Sequence, residues 1–451
     1  MVQRSSLHSA RAAFRALIVV AGACLALAGV VRAAETSSGA APAPDEWQLP
    51  RAMHSAMKDR PIIRVGAKAG DLIGADGRAL QAAVDYVAGL GGGTVEIGEG
   101  VYLLRDSLHL RSHVTVRGQG EKTVLKKAPC AASPLALDGD FGEEQITVKE
   151  PAGFDVGDGV AVWDSGSGGF HTTVARITGK SGRTFSISRP LNADCMVGNK
   201  AQAATVFPVV SGYDLEGARV ENLSIEGDRE RNVHLNGCRG AGIFLYRAFG
   251  TVIEKCMVRG YNGDGISFQQ SNDVQVLSCI SEGNAGLGLH PGSGSQRAVV
   301  RGCVARKNGG DGLYLCWRVR HGLFEENQLL ENGGFGISIG HKDSDNLVRK
   351  NIVRENDKHG VYFRDEAEGM AGHRNRLEEN LIENNGRGAD AAGIAIDGET
   401  RGISIRGNTI RDTRPEPERR QRTAVRIGKK AADIQIEENR LEAEKKVEDL
   451  R

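Results

Sequence analysis

The sequence predicts an all-β solenoid, a parallel β-helix whose short strands stack coil upon coil. A glycine followed by an apolar–any–apolar triplet recurs through the second half of the chain, and its first six occurrences are spaced 23, 23, 24, 24 and 24 residues apart. A constant period of this size is typical of repeats that bury their apolar faces only against their neighbours. No leucine-rich-repeat motif or helical half accompanies it. The anchor glycines are Gly242, Gly265, Gly288, Gly312, Gly336, Gly360 and Gly393.

Two further columns of residues keep step with these glycines. One lies nine residues before an anchor and holds Cys256, Cys279, Cys303, Asn327 and Asn351. The other lies four residues before an anchor and holds Asn284, Asn308, Asn332 and Asn356. Stacked asparagines hydrogen-bond along the axis, and stacked thiols pack as small hydrophobes, so both columns are predicted to be structural. Coils about 4.8 Å apart leave a disulfide in the thiol column conceivable, but reduced cysteines are the simpler interpretation.

The N-terminus predicts export. Arginines precede an apolar run over 16–31, and small residues follow near position 33, as in a secretory signal peptide spanning 1–33. We therefore expect a secreted or periplasmic protein, with no membrane span in the mature chain because the run is too short. Residues 34–60 are polar and rich in Ala, Pro and Ser, which predicts a linker.

The next segment predicts a capped start to the solenoid over 61–139. Leu80, Ala83, Val84 and Val87 follow helical spacing, GLGGG ends that helix, and TVEI and VYLL alternate like strands. Residues 140–210 are β-rich without the 24-residue period, which predicts an insertion. Regular coils are expected over 211–440, with the charged segment 441–451 covering the open edge of the last coil.

The charge of the chain argues against nucleic acid as a partner. The formal net charge is +1, and removing the four arginines of residues 1–33 leaves −3. A near-neutral mature chain has no overall attraction to a phosphate backbone. We expect a monomer.

One strand face is predicted to be the working face. In each triplet the two apolar residues point inward and the middle residue points to solvent. His290 is thereby placed beside Tyr314, about 4.8 Å away, with Tyr362 two coils further on. Aromatic rings beside polar groups suit sugar rings, although an ordinary polar exterior remains the alternative. The outward column is Phe244, Ser267, His290, Tyr314, Ser338, Tyr362 and Ala395.

The turns after these strands carry reactive residues, in CWRVRHG, GHKDSDN and FRDEAEG. Trp317, His341 and Asp365 occupy the same position in three successive coils. A carboxylate beside an imidazole raises its pKa and suits general acid–base work. Arg318 and Lys342 share the next position, and Arg320 and Arg364 add positive charge nearby.

Residues 74–104 and 240–440 resemble the capping helix and coils of right-handed parallel β-helix proteins of the pectate-lyase-like superfamily. The resemblance implies that fold, but the superfamily includes lyases, hydrolases, epimerases and binding proteins. The polygalacturonase motifs are missing, since residues 262–264 read NGD and 286–288 read GLG. The Asp-Pro-His-Asp motif of mannuronan C5-epimerases is replaced by GLHPG at 288–292.

A basic cluster with aromatic residues predicts an acidic, uronate-containing polysaccharide as substrate and β-elimination as the reaction. Arg318, Lys342 or Arg364 would neutralise the carboxylate. His341 or His290 would act as base, and Tyr314 as acid. The predicted catalytic residues are His290, Tyr314, Arg318, His341, Lys342, Asp343 and Asp365, and the predicted substrate-binding residues are Trp317, Tyr362, Arg364, Arg320 and Gln269.

Four alternatives stay open at this point. A bound Ca²⁺, held by Asp343 and Asp345, could replace the neutralising arginine. A glycoside hydrolase would use Asp343 and Asp365 as its two carboxylic acids, and a uronate C5-epimerase would share the lyase site. A non-catalytic polysaccharide-binding protein would spread its aromatic residues evenly, whereas here the reactive residues are concentrated in 288–366.

Overall fold

The computed structural model describes residues 60–166, 169–387 and 391–451. The predicted signal peptide, and the linker up to residue 59, lie outside the described residues. No helix in the described part of the chain is long and apolar enough to cross a membrane.

The first element after the opening strands is the capping helix, Gly77–Gly89. It begins where the Asp76 carboxylate accepts hydrogen bonds from the backbone N–H groups of Arg78 and Ala79, at 3.0 and 3.2 Å. It ends at the glycine run, where Gly91 and Gly92 adopt φ of 85° and 111°. Its buried face, predicted from the helical spacing, is confirmed: Leu80, Ala83, Val84 and Val87 close the end of the solenoid core.

One face of the solenoid is an eleven-stranded sheet, called here the front sheet, in which all the pairings given are parallel. The register follows the predicted repeat, since Ile337 pairs with Val361 and Ser338 with Tyr362. The predicted inward and outward columns therefore stack as expected. The strands of the front sheet are Leu108–His109, Val210–Glu216, Ala241–Phe249, Asp264–Gln269, Leu289–Gly292, Leu313–Tyr314, Ile337–Ile339, Val361–Phe363, Ala392–Ile396, Thr423–Ile427 and Lys445–Asp449.

The remaining coil strands form a 22-stranded sheet. Apolar residues from this sheet and from the front sheet meet in one continuous core. Its strands are Ile62–Gly66, Leu72–Ile73, Gly93–Ile97, Gly100–Leu104, Val114–Lys127, Arg219–Glu226, Val252–Glu254, Met257–Arg259, Gln275–Leu277, Ile280–Glu282, Val299–Arg301, Val304–Arg306, Leu323–Glu325, Gln328–Leu330, Leu347–Arg349, Ile352–Arg354, Arg376–Glu378, Leu381–Glu383, Arg401–Arg406, Thr409–Arg411, Ala432–Glu437 and Arg440–Glu442.

The predicted asparagine ladders are confirmed. The amide of Asn308 donates to Oδ1 of Asn332 at 2.9 Å, and Asn332 donates in the same way to Asn356. In the other column, the backbone N–H of Cys303 donates to Oδ1 of Asn327 at 2.9 Å, so the thiol column runs into an asparagine column. The cysteines of the described residues are unpaired thiols, as the simpler interpretation expects. Each ladder residue thereby satisfies buried backbone groups at a turn.

A six-stranded antiparallel sheet interrupts the coils. The insertion begins before the predicted position 140, because its first strand, Ala132–Pro134, pairs with its last strand, Gln202–Ala204. It has its own apolar core, which includes Phe154, Val162 and Phe185. Its strands are Ala132–Pro134, Gln145–Thr147, Gly159–Trp163, Thr173–Ser181, Thr184–Ile187 and Gln202–Ala204, and short 3₁₀ helices occur at Gly169–His171, Val197–Asn199 and Arg229–Arg231.

The charged C-terminal segment forms a strand of the front sheet and not a separate cap over the last coil. Lys445–Asp449 pairs in parallel with Thr423–Ile427 and so forms the last strand of the front sheet. Its exposed, charged side chains lie on a strand whose outer edge has no further partner in the described residues. Charge on an edge strand discourages pairing with another chain.

Candidate active site

The outward column of the front sheet is partly covered, which corrects the prediction that its members face solvent. His290 is only 3% exposed, and Phe244 and Ser267 are fully buried. The loop that precedes Ala241–Phe249 lies over this part of the sheet, since the Ser267 hydroxyl donates to the carbonyl of Gly237 at 2.8 Å. Tyr314 and Tyr362 are half-buried.

His290 is held by a carboxylate that the repeat pattern did not reveal. Its Nδ1 atom lies 2.7 Å from Oδ2 of Asp264, whose Oδ1 accepts the backbone N–H of Leu287 at 2.8 Å. Its ring meets Tyr314 edge-on, with centroids 5.4 Å apart. The Nε2 atom is buried, and the Cys316 thiol is a neighbouring group that helps to raise the pKa of His290.

A second column of outward-facing positions lies two residues after the first column in each coil. Gln269 pairs with Gly292, and Gly292 bridges to Cys316. Gly340 and Arg364 continue the column, and a Cβ at Gly340 would lie 2.5 Å from Nε of Arg364. Glycines therefore stand on both sides of Cys316. They leave room above the sheet for the side chains that surround the thiol.

The Cys316 thiol is the chemical centre of this cluster and is 6% exposed. Burial alone would raise its pKa, but hydrogen bonds with His290 and His341 and the charge of Arg364 lower it to about 6. In His290, burial works to lower the pKa, and the interactions with Asp264 and Cys316 outweigh it and raise the pKa to about 9. The two groups therefore favour a thiolate beside an imidazolium at neutral pH.

The second imidazole, His341, also has a carboxylate partner, but that partner is Glu366 and not the predicted Asp365. Nε2 of His341 lies 2.8 Å from Oε1 of Glu366, and the backbone N–H of His341 donates to the same carboxylate. Hydrogen bonds with Cys316 and Glu366 raise the pKa of His341 to about 9. Asp365 is exposed. Trp317 lies beside His341 as the aligned positions predict, but the rings meet edge-on, with centroids 5.8 Å apart and planes inclined by 60°.

Arg364 ties the cluster to the sheet. Its guanidinium donates to the Ser338 hydroxyl at 2.9 Å, to the Leu315 carbonyl at 2.8 Å and to Oδ2 of Asp343 at 3.1 Å. Its Cζ atom lies 4.6 Å from the ring centroid of Tyr314. Burial raises the pKa of the Tyr314 phenol, against the charge of Arg364, so the phenol keeps its proton.

The other predicted residues are spread around this cluster. Arg318 is exposed and Lys342 half-buried, and neither forms an ion pair within the described residues. Arg320 lies near Asp345, whose pKa it helps to lower after the larger effect of Arg374. Gln269, which is predicted to bind substrate, is buried, and its amide donates to the Ser267 hydroxyl.

Tyr362 belongs to an aromatic platform that the sequence did not predict. Its ring stacks on Phe335 with centroids 4.4 Å apart and planes inclined by 23°. His359 lies against the same phenylalanine at 5.8 Å. Phe335 and His359 each directly precede an anchor glycine. Aligning the residues at this position of each coil could have predicted that the two rings lie side by side.

Two of the three aspartates considered for calcium binding or hydrolysis already have partners within the protein. Asp343 is fully buried, and it accepts the backbone N–H of Val319 as well as the guanidinium of Arg364. Asp345 forms a bidentate pair with Arg374 at 2.7 and 2.8 Å. No group of three or more His, Cys, Asp or Glu residues is placed to hold a metal ion within 60–166, 169–387 and 391–451. The buried Asp343 and exposed Asp365 are also not presented to a substrate as a pair.

Comparisons with known proteins agree with this architecture. Residues 221–368 match the family described as "Right handed beta helix region", and no curated protein gives a significant sequence match. The A-module of Azotobacter vinelandii mannuronan C-5 epimerase AlgE4 is 14% identical, with a TM-score of 0.50 over 85% of this chain and 97% of that one. The Dettilon tailspike protein is 12% identical, with a TM-score of 0.51 over 81% and 58%. Geobacillus virus E2 ORF18 is 13% identical, with a TM-score of 0.50 over 86% and 62%.

At these identities the structural likeness shows the fold alone. The matched family region holds all of the cluster around Cys316, from Asp264 to Glu366. The chain has a right-handed parallel β-helix fold.

Proposed function

We propose that this protein removes the proton at C5 of a uronate residue in an acidic polysaccharide, leading to β-elimination. The observation that carries the proposal is the position of Cys316 between two imidazole–carboxylate pairs, His290–Asp264 and His341–Glu366. The C5 proton is adjacent to a carboxylate, so its removal needs a base together with positive charge for the developing enediolate.

The charge states of the cluster assign the roles differently from the sequence-based hypothesis. An imidazole whose pKa is raised to about 9 is mainly protonated at neutral pH and is a poor base. A thiol whose pKa is lowered to about 6 is mainly thiolate. We therefore assign Cys316 as the base, His341 as the cation that faces the substrate carboxylate, and the buried His290 as the cation that stabilises the thiolate.

Residues of the cluster can then accept or donate each proton that moves in the elimination. The C5–H bond breaks and its proton moves to Sγ of Cys316, while its electron pair forms the C4–C5 double bond. The C4–O4 bond breaks, and the leaving oxygen takes the proton of the Tyr314 hydroxyl. A proton from the Cys316 thiol, passed through water, restores Tyr314. Return of a proton to the opposite face of C5 instead would give epimerisation from the same intermediate.

Three observations support a polysaccharide as the substrate. The platform of Phe335, His359 and Tyr362 offers flat faces two coils from the thiol, and Trp317 adds a ring that is 40% exposed. Among the proteins of similar fold, one is an epimerase of mannuronan. The signal-like segment 1–33 supports export to the compartment where such polymers occur.

The test is a screen of the mature protein on alginate, pectate and glycosaminoglycans, following the ultraviolet absorbance of unsaturated chain ends. Cys316→Ser should lower the rate at least about 100-fold, as expected for loss of a general base. Cys130→Ser, which changes a half-buried thiol outside the cluster, is the matched control. New reducing ends without unsaturation would indicate a hydrolase, and binding without any product would indicate a binding protein.

A further inference from the structure

A second polar pocket lies on the front sheet, between the coils and the antiparallel insertion. Its volume is 260 Å³. One wall comes from the insertion and the floor comes from the strands Val210–Glu216 and Ala241–Phe249. The charged and aromatic residues that line it are Arg189, Arg239, Arg247, Tyr213, Tyr246 and Asp214.

The arginines of this pocket are stacked on its tyrosines. Cζ of Arg189 lies 3.9 Å from the ring centroid of Tyr213, and Cζ of Arg239 lies 5.4 Å from that of Tyr246. The two tyrosine rings are 6.2 Å apart. A stacked guanidinium keeps its N–H donors in its own plane, so the stacking holds the group in place while the donors stay available to a carboxylate.

The pocket carries more positive than negative charge. Asp214 is paired with Arg247 at 2.5 Å. Arg189 and Arg239 form no ion pair in the described part of the chain, although Nε of Arg239 donates to the carbonyl of Phe170 at 2.8 Å. Three arginines against one aspartate leave two uncompensated positive charges, which favours an anionic ligand.

The pocket lies on the same outward column as the candidate base. Tyr213 pairs with Tyr246, Tyr246 with Gln269, Gln269 with Gly292, and Gly292 bridges to Cys316. Three steps of about 4.8 Å separate Tyr246 from Cys316, or roughly 14 Å along the axis. The loop that carries Gly237 covers the strands between the two positions, so a bound polysaccharide would have to pass over this loop to reach both.

We propose that this pocket is a distal subsite that binds the carboxylate of a second uronate residue, on the same polysaccharide chain that reaches Cys316. The inference rests on the proposed function for the identity of the ligand. The pocket itself is defined by its arginines, its tyrosines and its place on the sheet. Long substrates should therefore gain affinity that short ones lack, because only they reach both sites.

The test measures binding of a length series of oligomannuronates and oligogalacturonates to the full mature protein carrying Cys316→Ala, so that no turnover occurs. Arg189→Gln and Arg239→Gln, each added to this background, should weaken the binding of long oligomers about tenfold and leave short ones unchanged. Arg183→Gln, which alters an exposed arginine of the same insertion, is the matched control. In the active protein the same changes should raise KM with kcat retained.

Each result separates this proposal from the proposed function. Binding that depends on length and on the two arginines supports the subsite even if no C5 chemistry is found. A KM for long substrates that is unchanged in both arginine variants overturns the subsite and leaves the proposed function intact. Equal binding of neutral cello-oligosaccharides, or no binding of any of the oligomers, also overturns the subsite.

Discussion

The charge state of Cys316 is the property on which the assigned chemistry depends, and it can be perturbed directly. Replacing His290 and His341 together by glutamine removes both imidazolium partners while keeping side chains of similar size. With a pKa of about 6, about nine in ten Cys316 side chains are thiolates at pH 7. The double variant should convert them to thiols.

The size of this shift follows from cysteines that are buried without an imidazole partner. Burial raises the pKa of Cys195 to about 11 and that of Cys238 to about 12. The pKa of Cys316 in the double variant should move toward these values, which leaves fewer than about one thiolate in a thousand at pH 7. His290→Gln alone should give an intermediate pKa, because His341 and Arg364 remain.

The assay is a pH titration followed by NMR of protein labelled with ¹³C at the cysteine Cβ. Cys316→Ser identifies the signal of Cys316. His373→Gln is the matched control, because His373 hydrogen-bonds to the carbonyl of Glu368 and lies outside the cluster. A native Cys316 that titrates near the ordinary value of about 8.5, or a double variant that titrates like the native protein, would refute the reasoning.

Three further predictions concern stability and pH dependence. Cys316→Ala should lower the Tm most near neutral pH. The stability that the thiolate contributes is lost as the pH falls through about 6, and the stability that the two imidazolium groups contribute is lost as the pH rises through about 9. The difference in Tm between the variant and the native protein should therefore shrink at acidic and at alkaline pH. Asn332→Ala removes four buried hydrogen bonds of the ladder and should cost about 4 kcal/mol in denaturant unfolding, whereas the exposed Gln328→Ala of the same coil should cost little. Glu366→Gln removes the carboxylate that raises the pKa of His341, so the alkaline limb of the pH–rate profile should move to lower pH by on the order of one unit, and an unchanged limb would count against a role for that imidazolium.

The repeating part of the fold could be predicted because it obeys local rules. A period of 23 or 24 residues fixes the stacking, and strand alternation then fixes which residues face the core, as the pairing of Ile337 with Val361 shows. Burial of His290 could not be predicted in this way. The loop that lies over this part of the sheet contains Gly237 and precedes the first anchor glycine, so the repeat pattern does not describe it.

The site was predictable only where successive turns share a backbone conformation. Trp317 and His341 both adopt left-handed φ, of 62° and 46°, and their rings meet as the aligned positions predict. Asp365 has no such φ, so the third turn leaves the register and brings Glu366 to His341 instead. The residue types of Asp264 and Cys316 are not repeated at the equivalent positions of successive coils, so the repeat pattern does not single them out. Only the three-dimensional packing places them next to His290.

The central claim is removal of the C5 proton by Cys316, and isotope exchange at C5 tests it most directly. The polysaccharide that is converted fastest is incubated with protein in D₂O, and deuterium at C5 is followed by NMR. We predict deuterium at C5 or unsaturated product with the native protein, and retained exchange with slowed elimination in Tyr314→Phe. Neither should occur in Cys316→Ser. Exchange at an undiminished rate in Cys316→Ser would contradict the account.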